Sequence, residues 1–245
     1  MRVSRVVLLA LKVVIVMSMV GALLAQERGA GARGGAGQRG AGPAAARGEG
    51  GAAGRVPLFF KEEWSNPTGQ EQAMTQSGVA NASLELKFYG PTGKEILING
   101  SPTNETNPPH PWTGMCTTPC GLTLRDKARM VDLSGLARIK WVTKMSGFHQ
   151  VRPIVKLADG TLLVGDLADG SVVDWQEREF SLSGIKWIKL DPERAVTTGS
   201  VVANPDLSKV DEVGFIDLMP SSGHGQGGWA DVARFEVYGR PVARQ

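Results

Sequence analysis

Three histidines, at positions 110, 149 and 224, two cysteines, at 116 and 120, and the carboxylates are the groups from which this chain would have to build any reaction. Nucleophilic catalysis on a serine would call for a sharp Gly-x-Ser-x-Gly turn, and the sequence has none. Acid/base catalysis needs two carboxylates facing one cleft, and in a strand residues i and i+2 share a face. Glu177 and Glu179 have that spacing, as do Asp211 and, six residues on, Asp217. Neither set is the tightly spaced acidic triplet expected of a sandwich-fold glycosidase whose acids share one strand. Glu177, beside Arg178, reads as part of a solvated strand face. Asp217, set in Val213-Gly214-Phe215-Ile216-Asp217-Leu218, reads as partly buried and paired. A glycosidase would need Asp217, Glu212 or Glu179 in a cleft.

Binding chemistry is better represented. Ser221-Ser222-Gly223-His224-Gly225-Gln226-Gly227-Gly228-Trp229 is a glycine-dense loop with one imidazole and a terminal indole, able to present backbone donors and an aromatic face together. It is not a phosphate loop, because no Lys-Ser/Thr follows it and the next element is a strand. Six tryptophans are many for a domain of this size. Sugar rings stack on flat aromatic faces while neighbouring polar groups take their hydroxyls. Trp112 and Trp229 lie in or beside loops and, with His224, are the candidate contacts; Trp141 and Trp187 sit in strand-like runs and are expected in the core.

Cys116 and Cys120 close the segment Asn99–Thr118, which is rich in Pro, Asn and Thr and reads as a long irregular loop. In an exported chain with two cysteines a disulfide is the economical reading. A metal site or a redox pair are the alternatives, and each has a poor fit: no second Cys/His pair stands at zinc spacing, and a redox motif more usually has two intervening residues.

The elements that must position these groups are strands. Leu84, Leu86 and Phe88 alternate with Glu85 and Lys87, the period of a half-buried strand. Similar runs recur at Ala137–Lys144, Val151–Leu157, Thr161–Val164, Ile185–Leu190, Val210–Leu218 and Val232–Tyr238. Between them lie Ser-Gly and Asp-Gly turn signals. Leu157-Ala158-Asp159-Gly160 returns as Leu167-Ala168-Asp169-Gly170, which reads as two successive hairpin turns. Leu133-Ser134-Gly135 is echoed by Leu182-Ser183-Gly184. No stretch of a dozen residues shows helical periodicity with caps, and a short helical turn is expected near Asp206–Lys209. The expected fold is all-β, a two-sheet sandwich or jelly roll over 56–245.

What precedes it is different. Arg2 and Arg5, then an apolar run from Val6 to Ala25 ending in small residues, have the order of a secretory signal over 1–25. The rival reading is an uncleaved membrane anchor, against which Lys12 stands in mid-run, at a cost of roughly 2.5–3.5 kcal/mol. Residues 26–55 are almost entirely Gly, Ala and Arg, with no aromatic or β-branched side chain to bury, and read as a disordered linker. Its arginines could touch an anionic surface. Residues 1–55 hold 8 of the 27 basic and 2 of the 24 acidic side chains, leaving 19 basic and 22 acidic in the rest. The formal charge of +3 therefore resides in the leader and linker, and the domain gives no argument for nucleic acid. Secretion or a place in the cell envelope follows, with membrane contact only through an uncleaved N-terminal segment.

Val131-Asp132-Leu133-Ser134-Gly135-Leu136, Trp175 with Phe180-Ser181-Leu182, Val210-Asp211-Glu212-Val213-Gly214-Phe215, and Gly228-Trp229 with Phe235-Glu236-Val237-Tyr238-Gly239 occur in an order that resembles the galactose-binding-like β-sandwich group, especially complex-I-intermediate-associated proteins and bacterial carbohydrate-binding modules. The resemblance covers roughly 131–238 and mostly reflects sandwich packing. It implies a jelly-roll binding or scaffold domain, often sugar-binding, sometimes with a structural calcium and with no common catalytic residues; it transfers no ligand residue, since the cysteine loop and Asp-Gly hairpins do not map onto it. The resulting expectation is a secreted, non-catalytic domain binding carbohydrate or envelope glycan, without a cofactor. An adaptor with no small ligand is the third reading.

Overall fold

Alternating side chains pair into two antiparallel sheets. In chain order the strands are β1 (Leu58–Glu62), β2 (Gln72–Ala73), β3 (Leu84–Tyr89), β4 (Leu97–Asn99), β5 (His110–Trp112), β6 (Cys120–Asp126), β7 (Arg129–Asp132) and β8 (Arg138–Ser146). They continue as β9 (Gln150–Leu157), β10 (Leu162–Gly165), β11 (Asp169–Gly170), β12 (Gln176–Ser181), β13 (Trp187–Leu190), β14 (Thr197–Val202), β15 (Val210–Asp217), β16 (Trp229–Tyr238) and β17 (Arg240–Ala243). The seven-stranded sheet runs β12-β8-β16-β5-β4-β2, with β1 also on β16. The ten-stranded sheet runs β14-β13-β10-β9-β15-β6-β3, with β11 on β9, β7 on β15 and β17 on β7. This computed structural model describes residues 55–170, 172–219 and 228–244. The expected signal segment, the linker up to Gly54, and His224 lie outside the described residues.

The sandwich closes on an aromatic chain. Trp141 of β8 packs edge-on to Phe180 of β12 at 4.8 Å and stacks towards Phe235 of β16 at 6.3 Å. Phe235 meets Phe60 of β1 at 5.8 Å and, across the interface, Phe215 of β15 at 5.9 Å, which in turn meets Trp64. Trp141 and Trp187 are buried, as their strand contexts predicted. Each such ring removes a large apolar surface from water, and truncating one costs about 3–5 kcal/mol.

One irregularity decides which side chains face outward. On β16, Ala230 and Val232 point into the core, but so do Phe235 and Val237, a change of parity within one strand. The register against β8 shifts between Val232 and Arg234, so one extra residue is accommodated as a bulge. Asp231 and Arg234 thereby both reach the outer face, while Phe235 keeps its core position.

Three local expectations are corrected. The Pro-rich segment Asn99–Thr118 is not wholly irregular, since His110–Trp112 pairs with β4 and, through Trp112, with Asp231 of β16. Pro111 supplies no N–H, so the strand is short and leaves little sequence trace. The first Leu-Ala-Asp-Gly is a hairpin turn, closed by the Leu157 N–H donating to the Thr161 carbonyl, with Gly160 at φ +87°. The second is not: Asp169 and Gly170 pair with Val151 and Gln150, and the Asp169 carboxylate accepts from Trp141 Nε1 and Thr143 Oγ1. Donors from β8 claim the second aspartate, whereas the exposed first one caps its own turn through Thr161. Residues 206–209 form a turn, not a helix, in which Asp206 accepts from the backbone and hydroxyl of Ser208. The short helical pieces are 3-10 turns at Gln76–Gly78 and Gly93–Glu95.

Candidate functional site

Register places the chemistry. On the outer face of the seven-stranded sheet Lys144 stands opposite Asp231, and Asp231 opposite Trp112, so one row crosses β8, β16 and β5. Trp175 precedes Gln176, the partner of Thr143, and so enters this row beside Lys144. Trp229 opens β16 opposite Ser146. The Lys144 ammonium lies 4.6 Å from the ring centre of Trp175 and 5.2 Å from that of Trp229, a cation held between two π faces. All three indoles are half-buried. Trp112 lies over Gly114, where any Cβ would collide with its ring.

Trp175 also ties the face together. Its Nε1 donates to the Thr106 carbonyl at 3.1 Å, and its ring meets His110 edge-on at 5.2 Å. Beneath lie two buried titratable groups, His110 and Asp231, each 2% exposed. His110 Nδ1 is 2.6 Å from the Pro108 carbonyl, which can only accept, so that nitrogen carries the hydrogen. His110 Nε2 then faces Asp231 Oδ2 at 3.5 Å, and Lys144 Nζ stands 3.5 Å from the same oxygen. Among the described residues Asp231 Oδ1 has no hydrogen-bond partner. Burial pushes the Asp231 carboxyl up to about 7, against the pull of Lys144. Burial, with Lys144 adding repulsion, holds His110 down at about 4.

Further along the same face the charges are paired. Arg138 reaches Glu179 at 3.2 Å and covers the Tyr238 ring, while Lys140 reaches Glu177 at 2.9 Å. Arg234 joins Glu177 and Glu236. Glu177 and Glu179 are exposed, the solvated strand face that their sequence suggests.

The other carboxylates weighed for acid/base work are enclosed. Asp217, 1% exposed, accepts from Thr113 Oγ1 and the Met219 N–H and lies 2.6 Å from His149 Nδ1. Glu212, 2% exposed, is taken by Tyr89 Oη, Thr123 Oγ1 and Lys156 Nζ. Neither faces a cleft, and neither is near Glu179 in a shared row. Cys116 and Cys120 are joined by a disulfide, so neither is a thiolate ligand. Among the described residues no three His, Cys, Asp or Glu side chains gather as metal ligands. The buried Glu62 does not fit a calcium site, because its oxygens accept from the N–H groups of Trp64, Ala80 and Asn81. No helix among the described residues is long and apolar enough to cross a membrane.

Of the sequence candidates, Trp112 and Trp229 come to one face, and His224 lies outside the described residues. Trp175, Lys144, Asp231 and His110 were not selected from sequence. A usable signal was present: His110 and Trp112 are two apart, and Lys140, Val142 and Lys144 alternate with buried residues. A cavity of about 550 Å³ lies away from this face, where the echoed turns Leu133–Gly135 and Leu182–Ser183 approach Trp187 and residues 201–208. It gathers neither paired acids nor several exposed rings.

No family model matches the chain, and no curated protein does. Among solved structures, the family 11 carbohydrate-binding module of a cellulosomal cellulase from Clostridium thermocellum matches at 12% identity and TM-score 0.40, over 76% of this chain and 96% of that one. An exo-beta-agarase matches at 12% identity and TM-score 0.37, over 77% of this chain and 26% of that one. A family 61 carbohydrate-binding module in complex with beta-1,4-galactotriose matches at 8% identity and TM-score 0.29, over 70% and 88%. Likenesses of this size assign neither a ligand nor a site residue.

Proposed function

We propose that the domain is a non-catalytic carbohydrate-binding module whose contact surface is the outer face of the seven-stranded sheet around Trp112, Trp175 and Trp229. The observation that carries the reading is the placement of three half-buried indoles on one sheet face around Lys144 and Asp231. Rings supply stacking area at low entropic cost, and the ion pairs beside them supply donors and acceptors for hydroxyls. The enclosure of Asp217 and Glu212 favours binding over hydrolysis. Export suits the chain, since a disulfide persists in oxidising compartments and the apolar N-terminal run has the order of a signal.

Native gels containing soluble polysaccharides test this reading. Retardation by at least one glycan, lost in Trp229→Ala and in Trp175→Ala with thermal unfolding still cooperative, supports it. Retardation untouched by both substitutions removes the face from the account.

A further inference from the structure

We propose that the glycan bound at this face carries an anionic group on its sugar units, a carboxylate or a sulfate ester, and that Lys144 selects it. The inference rests on the sugar-binding reading above and adds the class of sugar.

The argument is one of unbalanced charge. Five cations of the described strands stand on the face, and four have a glutamate at hydrogen-bond distance: Lys61 with Glu63, Arg138 with Glu179, Lys140 with Glu177, and Arg234 with Glu177 and Glu236. Lys144 differs. Its one carboxyl neighbour among the described residues is Asp231, at 3.5 Å, and its other neighbours are the indoles of Trp175 and Trp229. Indole faces attract a cation but carry no net charge to cancel it.

Asp231 is a poor counterion. Among the described residues the charged and titratable groups facing it are His110 from β5 and Lys144 from β8. Because His110 Nδ1 gives its hydrogen to Pro108, the neutral ring turns a lone pair towards Asp231 Oδ2. Two acceptors face each other unless a proton lies between them. The carboxyl, pushed up to about 7, holds that proton, and the imidazole, held down at about 4, does not. In mildly acidic solution, below about pH 6, the cluster therefore carries the uncompensated charge of Lys144. The Lys144 side chain keeps a fifth of its surface open, between rings on which a sugar can stack. An anionic substituent placed there gains a charge-assisted hydrogen bond without displacing an ionised carboxylate. Long-range attraction is not the cause, because residues 56–245 have more acidic than basic side chains.

The test uses the full chain in affinity gels with polygalacturonate, alginate, a sulfated galactan, and neutral glucan and galactan. At about pH 6 the acidic polymers retard the protein and the neutral ones do so at least about tenfold less, the size of a charge-assisted hydrogen bond. Lys144→Met removes that preference, Lys144→Arg restores part of it, and Lys189→Met, an equal loss of charge on the other sheet, leaves it. Affinity falls between about pH 6 and pH 8 as Asp231 ionises and takes Lys144 for itself, and Asp231→Asn abolishes that fall. Polygalacturonate against sulfated galactan tells carboxylate from sulfate. Equal binding of neutral polymers with Lys144→Met unchanged overturns the inference and spares the sugar-binding face. Acidic retardation that survives Lys144→Met belongs to the arginine-rich segment before Val56 and also overturns it. Retardation by no polymer overturns the inference and the reading beneath it together.

Discussion

Replacing His110 and Asp231 one at a time should tilt the pH dependence of stability in opposite directions. Unfolded, the histidine titrates near 6.5 and the aspartate near 3.8; folded, the order is inverted, to about 4 and about 7. The raised aspartate stabilises the fold below 3.8, and that contribution is lost as pH rises through about 7. The depressed histidine stabilises above 6.5, and that contribution is lost as pH falls through about 4. Within this window folding moves one proton from imidazole to carboxyl and exchanges none with solvent, so the pair contributes a flat profile. In His110→Gln only the aspartate remains, and stability should decline from pH 4.5 to 6.5 relative to the parent. In Asp231→Asn it should decline in the reverse direction. One proton corresponds to about 1.4 kcal/mol per pH unit, so the two variants should diverge from the parent by up to about 2–3 kcal/mol each across that span. Urea titrations at several pH values measure this, and other carboxylates cancel in the difference. Parallel profiles for all three proteins would refute the inverted pair.

The Cys116–Cys120 bridge closes a short loop, so Cys116→Ser with Cys120→Ser should cost about 2 kcal/mol, seen as a melting temperature lower by about 4–8 °C. Glu62→Ala strips the partner from three backbone N–H groups and should cost about 2–4 kcal/mol in denaturant unfolding, with Glu62→Gln recovering part of it. A Cβ at Gly160 meets no atom within 4 Å, but Gly160→Ala must hold φ near +87° and should cost about 1–2 kcal/mol by the same measurement without altering glycan retardation.

The strands were legible because their physics is local. Leu84 to Phe88 alternates cleanly, and the runs Ala137–Lys144, Val151–Leu157, Val210–Leu218 and Val232–Tyr238 lie within or along the long strands of both sheets. What failed was whatever a distant partner decides. The two Leu-Ala-Asp-Gly copies are identical in sequence, yet only the second meets Trp141 and Thr143. β5 hid among prolines because its pairing is set by β4 and β16 rather than by its own composition. Two of the three contacts read from loop position, Trp112 and Trp229, share a face, but as strand residues at the ends of β5 and β16. Trp175, Lys144, Asp231 and His110 join them only through register and the bulge between Val232 and Arg234, and no local pattern encodes either.

The six indole N–H resonances offer the most direct measurement, since three tryptophans lie on the proposed face and Trp64, Trp141 and Trp187 lie in the core. On titration with a mixed pool of neutral and acidic oligosaccharides, the signals of Trp112, Trp175 and Trp229 should shift together in a saturable way while the core three stay fixed. Saturable shifts confined to Trp187, beside the separate cavity, or spread over none of the outer three, would contradict the account.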